Sequence, residues 1–289
     1  MIIVTGATGH LGRGIVDHLL TRVGPDEVGV SVRDPDRAAD LAERGVRVRR
    51  GDFGEPGSLP HAIEGARLLL VVSSNAAAYG GDPLAQHRAV IGAAVDAGVE
   101  RVVYTSHQGA GAESAFPPCR DHAATETMLA ESGLAWTALR HGFYASTALG
   151  VLGDPVPEVV TTPASGPVAW TTTDDLAVGD AEVLLRLRDD EPGWDGPTAP
   201  LTAAEALSPT DLARLASQVL GREVRHEVED DDEALARLTS RGLPPGAAAM
   251  VVAIHQAARA GDLAATDPTL ERLLGRPPTS VRDLLVAAG

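Results

Sequence analysis

Apolar residues in the first half of the chain follow two alternating rhythms. Short runs rich in Val, Leu and Ile read as strands: "MIIVT" (1–5), "VGVSV" (28–32), "VRVRR" (46–50), "ARLLLVVSS" (66–74), "VERVVYTS" (99–106) and "LAWTALR" (134–140). Between them lie stretches with helical spacing. Leu11, Ile15, Leu19 and Val23 mark the first. The others are "DPDRAADLAERG", a segment ending near Glu64, "PLAQHRAVIGAAVDAG" and "RDHAATETMLAESG". Most of the strands are too apolar for a sheet with one wet face, so helices must cover both sides. Strand and helix in alternation predict parallel pairing with right-handed crossovers. The expected fold class is therefore α/β, a Rossmann-type doubly wound parallel sheet, whose ligands lie beyond the carboxyl ends of the strands.

Past residue 145 the rhythm loosens. "LGDPVPEVVTTPASGP" is rich in proline and glycine, and "VAWTTTDDLAVGDAEVLLRL" reads as a strand feeding a helix. "LSPTDLARLASQVLG" is a helix capped by Ser208, with Pro209 next and Asp211 three residues on. Short helices fill the rest. A smaller, mostly helical C-terminal lobe is expected, with the chain returning to the sheet around residues 168–188.

The turn "VTGATGHLG" (4–12) stands between the first strand and the first helix. Gly6 permits a sharp exit from the strand, Gly9 lets backbone approach a pyrophosphate, and Gly12 lets the helix pack closely on the sheet. Free N–H groups and the positive dipole end of the helix then face the phosphates. This predicts an NAD(P)-binding domain over residues 1–150 and a substrate-binding lobe over 151–289. The second strand ends in "VSVRDPDR", which puts Arg33 where a 2′-phosphate would be met and Arg37 one helical turn on. NADP(H) is the preferred cofactor on this reading. Asp34, which could bind a ribose hydroxyl, leaves NAD(H) open. "GDFG" places Asp52 and Phe53 near the adenine. "SSN" (Ser73, Ser74, Asn75) and "TSH" (Thr105, Ser106, His107) end the fourth and fifth strands toward the ribose and nicotinamide.

The formal net charge is -16, from 24 basic and 40 acidic residues, with no basic stripe, so no nucleic-acid partner is expected. The acidic run "EVEDDDE" (227–233) reads as a solvated helix start. Cys119 is the single cysteine, which suits a reducing compartment. With no charged leader and no apolar run long enough for a bilayer, a cytoplasmic protein without membrane contact is expected, either monomer or homodimer. The histidines lack metal-ligand spacing, and no metal is expected. Every basic residue is arginine, and the chain contains no lysine.

The segments "TGATGHLG", "VRDPDRA", "GVRVRRGDFGEPGSL", "QHRAVIGAAVDAGVERVVYTS", "HAATETMLAESGLAWTALRHGFY" and "LLGRPPTSVRDLL" together resemble the NmrA-like branch of atypical short-chain dehydrogenases/reductases. Within that branch they are most similar to bacterial NAD(P)H:quinone oxidoreductases. The resemblance spans nearly the whole chain. It implies that Gly6, Thr8, Gly9, His10, Leu11 and Gly12 hold the pyrophosphate and Arg33 the 2′-phosphate. It also implies that Ser73, Ser74, Thr105 and Ser106 line the cofactor cleft. The quinone reductases carry a lysine where this chain has Thr127, so a role for that position does not carry over.

Typical short-chain dehydrogenases use Tyr-x-x-x-Lys to exchange a proton with an alcohol oxygen. The corresponding stretch here is His122-Ala-Ala-Thr-Glu126, with neither residue. A ketone reduced by hydride leaves an alkoxide whose conjugate acid resembles water, with a pKa of about 15.7. A quinone leaves an anion resembling a phenolate, with a pKa of about 10. The difference corresponds to roughly 8 kcal/mol of charge stabilisation that need not be supplied. A quinone-like acceptor is expected. Tyr144 in "RHGFY", beside Phe143, is the candidate to meet it; Tyr79 in "NAAAYGGD" and His122 are further pocket candidates, and His107 is a candidate proton donor. Tyr104 is expected in the core. Cys119 has no sequence neighbours that argue for activation. Two other readings stay open: a reductase of a specialised biosynthetic ketone or enone, and a non-catalytic NADP-binding redox sensor.

Overall fold

A computed structural model describes residues 1–288 of the chain. It divides into two compact units: residues 1–106, 121–140 and 173–199 form the first, and 107–120, 141–172 and 200–288 the second.

The first unit is built on a seven-stranded sheet. Its strands, in chain order, are β1 (Ile2–Thr5), β2 (Val28–Val32), β3 (Arg47–Arg50), β4 (Leu68–Val71), β5 (Arg101–His107) and β6 (Ala135–His141), with β10 (Gly196–Pro197) added late. The sheet order is β10-β6-β5-β4-β1-β2-β3. Ile2 registers with Val28 on one side and Leu68 on the other, both parallel. The chain runs from β1 outward through β2 and β3, then starts again at β4 and runs the other way. Strand order thus reverses between β1 and β4, and this switch point opens a crevice at their carboxyl ends.

β1, β2 and β4 are buried at every position, as helices on both faces require. On one face Ile3, Leu69, Val102 and Tyr104 meet Leu59 and Ile63 of α3 (Leu59–Ile63), Val90 and Ile91 of α4 (Pro83–Asp96) and Leu129 of α5 (Pro117–Glu131). Elsewhere in the unit α1 (His10–Leu19) packs on α7 (Thr173–Arg188), so closely that a Cβ on Gly14 would lie 2.9 Å from that of Ala177. The doubly wound parallel sheet predicted from the alternation is present.

The second unit has its own core, in which Phe116, Cys119, Phe143, Leu152, Val160 and Trp170 are buried together. Helices dominate it: α6 (Ala145–Leu152), α8 (Pro209–Leu220), α9 (Asp231–Ser240), α10 (Pro245–Ala260), α11 (Thr269–Leu274) and α12 (Val281–Ala288). Two small parallel pairs complete it, β7 (Phe143–Tyr144) with β9 (Trp170–Thr171) and β8 (Val159–Pro163) with β11 (Arg225–Glu229). The capping box expected at Ser208 and Asp211 is formed.

A single boundary at residue 150 does not describe this division. Segments 107–120 and 141–150, expected in the first domain, belong to the second unit, and 173–199 return to the first. The reason is topological: the segments that follow β5 and β6 are long excursions, and the chain must come back as α7 and β10 to finish the first unit. Among the described residues, no helix is long and apolar enough to cross a membrane.

Candidate functional site: a dinucleotide crevice

Leaving β1, the chain turns through Gly6 at φ +66°, where a side chain would be strained. Gly9 N–H donates to the Gly6 carbonyl at 2.9 Å. A Cβ on Gly12 would lie 2.5 Å from that same carbonyl oxygen, so only glycine fits. Helix α1 starts at His10 with no side-chain cap and no acid in its first turn. By contrast, α8 and α9 close their first turns with complete capping boxes. The first-turn amides of α1 are therefore left for an outside acceptor, which fits a diphosphate. Leu11 is only 7% exposed, so what it offers is backbone. Thr8 is half-buried, and His10 is exposed with Nε2 2.6 Å from Asp174 Oδ1.

At the end of β2, Arg33 and Arg37 are exposed, and neither guanidinium has a partner among the described residues. Asp34 is occupied, for its carboxylate accepts the Asp36 N–H at 3.2 Å and caps the following turn. Beyond β3, Asp52 Oδ1 accepts the Gly54 N–H at 2.8 Å while Phe53 packs on the core.

The strap after β4 lies directly beside the glycine turn: a Cβ on Gly6 would be 3.2 Å from Val72 Cβ. The backbone N–H groups of its first three residues are claimed. Val72 donates to Thr5 Oγ1, Ser73 to Thr105 Oγ1 and Ser74 to His87 Nε2, at 2.9, 2.8 and 2.8 Å. The Ser74 hydroxyl donates to Gln86 Oε1 at 2.5 Å, whereas the Ser73 hydroxyl has no partner among the described residues. Asn75 is exposed, and Tyr79, on the short turn that follows, is 83% exposed.

Below the strap the hydroxyls of Thr105 and Ser106 are buried rather than displayed. Ser106 donates to Glu126 Oε1 at 2.6 Å, and Glu126 in turn is paired with Arg140. Tyr104 is in the core as expected, with its hydroxyl 2.8 Å from His122 Nδ1; burial pushes that phenol well above its ordinary range. Thr127 is exposed and donates back to the Ala123 carbonyl.

Three further candidates lie in the second unit. His107 Nδ1 accepts the Gly109 N–H at 3.0 Å, which puts the ring proton on Nε2. The ring is packed against Phe116 and Phe143, and burial drives its basicity down to about 3. It is neutral at pH 7 and is not an imidazolium acid, contrary to the expected role. Cys119 does have a histidine neighbour, since its Sγ lies 3.4 Å from His107 Nδ1. Burial still pushes the thiol up to about 12, so no thiolate forms there. Phe143, expected to line a pocket, is core: its ring meets His107, Phe116 and Trp170. Tyr144 beside it is 39% exposed.

His87, Glu126 and Arg140 escaped the sequence reading. A weak signal existed for His87, which lies on the same helical face as Val90, Ile91 and Ala94 and so interrupts an apolar stripe.

A doubly wound sheet with a glycine turn and an uncapped helix start at its switch point defines a dinucleotide-binding protein. The chain matches the NAD(P)H-binding family over residues 6–154. It is 34% identical to Quinone oxidoreductase 2 of Escherichia coli K12 over 285 residues, 98% of this chain and 96% of that protein. It is 31% identical to an NmrA-like family domain-containing oxidoreductase of Aspergillus flavus, over 97% of this chain and 92% of that one. Among solved structures, the triphenylmethane reductase of Citrobacter sp. complexed with NADP(H) superimposes with a TM-score of 0.86 at 32% identity, covering 100% and 99% of the two chains. The chain belongs to the NAD(P)H-binding family, in its NmrA-like branch.

Proposed function

We propose that this chain, an NAD(P)H-dependent oxidoreductase by family, uses NADPH to reduce a quinone or a similar conjugated carbonyl acceptor. When bound, the cofactor supplies a hydride from its nicotinamide ring. The residues assigned to hold it are Gly6, Thr8, Gly9, His10, Leu11 and Gly12 at the diphosphate, Asp52 and Phe53 at the adenine, and the strap Ser73–Asn75 at the nicotinamide end. Thr105 and Ser106 act behind the strap.

The observation that carries the choice of NADPH is the contrast at the end of β2. Arg33 and Arg37 have no partners among the described residues, while Asp34 Oδ1 caps its own turn. Two uncommitted guanidiniums suit a 2′-phosphate, and the Asp34 carboxylate between them already accepts one hydrogen bond from its own turn. For the acceptor, the chain's chemistry favours one that asks little of a proton donor. It has no lysine, and His107 is held neutral. Tyr79 and Tyr144 keep aromatic surface that a flat ring could stack on.

A second reading shares this logic. A structure of the Citrobacter relative is described in terms of triphenylmethane dyes, and a conjugated acceptor of that kind in its cationic form becomes neutral on taking hydride and needs no proton at all. The net charge of -16 would draw such a cation in.

The test is oxidation of NADPH, with NADH as control, in the presence of benzoquinones, naphthoquinones and a triarylmethyl dye. Quinone-dependent turnover that favours NADPH is expected. Turnover of the dye alone would replace the acceptor, and tight NADPH binding without any turnover would point to a redox sensor.

A further inference from the structure

His87 is read by its two neighbours as one particular tautomer. The Ser74 amide can only donate, so Nε2, 2.8 Å away, must be an unprotonated acceptor. On the other side Nδ1 lies 2.8 Å from Thr125 Oγ1. That hydroxyl has already given its one proton to the Asp121 carbonyl, also at 2.8 Å. Nδ1 must therefore carry the ring proton and donate it to Thr125. The ring is 2% exposed, and its edge-to-face contact with Tyr104 fixes its plane. Burial lowers its basicity to about 4, so the neutral form is the one present at pH 7.

We propose that His87 is a positioning residue of the cofactor site: a neutral, Nδ1-protonated imidazole that ties the strap after β4 to α5 and so sets it against the glycine turn. The proposal rests on the NADPH reading above. The strap abuts Gly6 through Val72, so a displacement of its backbone reaches the phosphate turn directly. Gln86, the residue before His87, holds the Ser74 hydroxyl, and with both Ser74 donors spent, Ser73 is the serine of the two whose hydroxyl is left to meet a ligand. The dipeptide Gln86–His87 thereby selects which serine faces the cofactor.

Substitution at His87 should show in NADPH affinity rather than in stability alone. His87→Leu keeps apolar bulk and removes both hydrogen bonds. It is expected to weaken NADPH binding, followed by nicotinamide fluorescence, about tenfold, and to raise the KM for NADPH with kcat held within about threefold. His87→Gln, which offers a carbonyl acceptor and an N–H donor, should recover most of that loss. In 15N spectra of the unaltered protein the His87 ring should carry its proton on Nδ1 and should not titrate between pH 5.5 and 8. If His87→Leu does not fold, Thr125→Val makes a milder lesion on the far side of the ring and should weaken NADPH about threefold. A lower melting temperature with unchanged NADPH affinity, or an Nε2-protonated ring, overturns the proposal. Absence of NADPH binding by the unaltered chain overturns the proposed function instead.

Discussion

Glu126 grips Arg140 with both carboxylate oxygens. Arg140 donates from Nε to Oε1 at 3.0 Å and from Nη2 to Oε2 at 2.7 Å. Oε1 also receives the Ser106 hydroxyl proton. Glu126 is 8% exposed, so this carboxylate depends on these bonds in place of water, and its presence raises the pKa of the Arg140 guanidinium. Glu126→Gln keeps the shape and removes the charge. It is expected to destabilise folding by about 2 kcal/mol in urea denaturation, the scale of a hydrogen bond to a charged group. A loss below about 0.5 kcal/mol would mean that solvent at the partly exposed Arg140 screens the pair as it does at a surface.

The 2′-phosphate assignment gives a selective prediction. Arg33→Ala should weaken NADPH by about tenfold to a hundredfold, the equivalent of one or two charge-assisted hydrogen bonds. NADH, which has no 2′-phosphate, should bind as before. Raised salt should weaken NADPH binding to the unaltered protein more than NADH binding. Equal losses for both cofactors would move Arg33 from the phosphate to a structural role.

What could be read in the sequence was local. The alternation of strand and helix is a periodicity within each segment. Gly6 and Gly12 answer demands set by their own turn, and Arg33 follows from counting along β2. The burial of Tyr104 follows from its apolar strand. What could not be read depends on packing between distant segments. Cys119, in the first turn of α5, meets His107, the last residue of β5, only through the way the loop between them folds back. Glu126 finds Arg140 through the seating of α5 on β6. His87 looks like an amphipathic-helix residue until Ser74 and Thr125 are placed on either side of it. Even the division into units is invisible to a linear reading, since β5 and β6 each feed chain out of the first unit.

Gly12 and Gly92 make a matched pair of glycine-to-alanine tests. At Gly12 the new methyl would lie 2.5 and 2.7 Å from the Gly6 carbonyl oxygen and carbon, so backbone must move. At Gly92, inside α4, a Cβ meets nothing within 4 Å. Gly12→Ala is expected to lower the melting temperature and weaken NADPH at least about tenfold by disturbing the first-turn amides. Gly92→Ala should stabilise by about 0.5–1 kcal/mol, the ordinary helix-propensity gain. An NADPH affinity unchanged in Gly12→Ala would show that the turn tolerates the shift.

Acid should loosen the protein through buried histidines, and His255 on α10 is the one to isolate. It is 5% exposed, with no hydrogen-bond partner for Nδ1 among the described residues. Asp231 and Glu229 favour its charged form, His226 and Arg259 oppose it, and burial outweighs them all, lowering its pKa to about 4. In the unfolded chain a histidine takes its proton near pH 6.5. Between these values the unfolded state binds the extra proton, so stability is full above about pH 6.5 and falls as pH drops toward 4, by up to about 3 kcal/mol for this group. His87 and His107 act in the same direction, which makes the total slope uninformative by itself. His255→Leu removes one titrating site. Urea denaturation at pH 7.5, 6 and 5 should then give a slope flatter by as much as about 1.4 kcal/mol per pH unit. A variant that keeps the parent's slope would show that His255 does not carry the acid response.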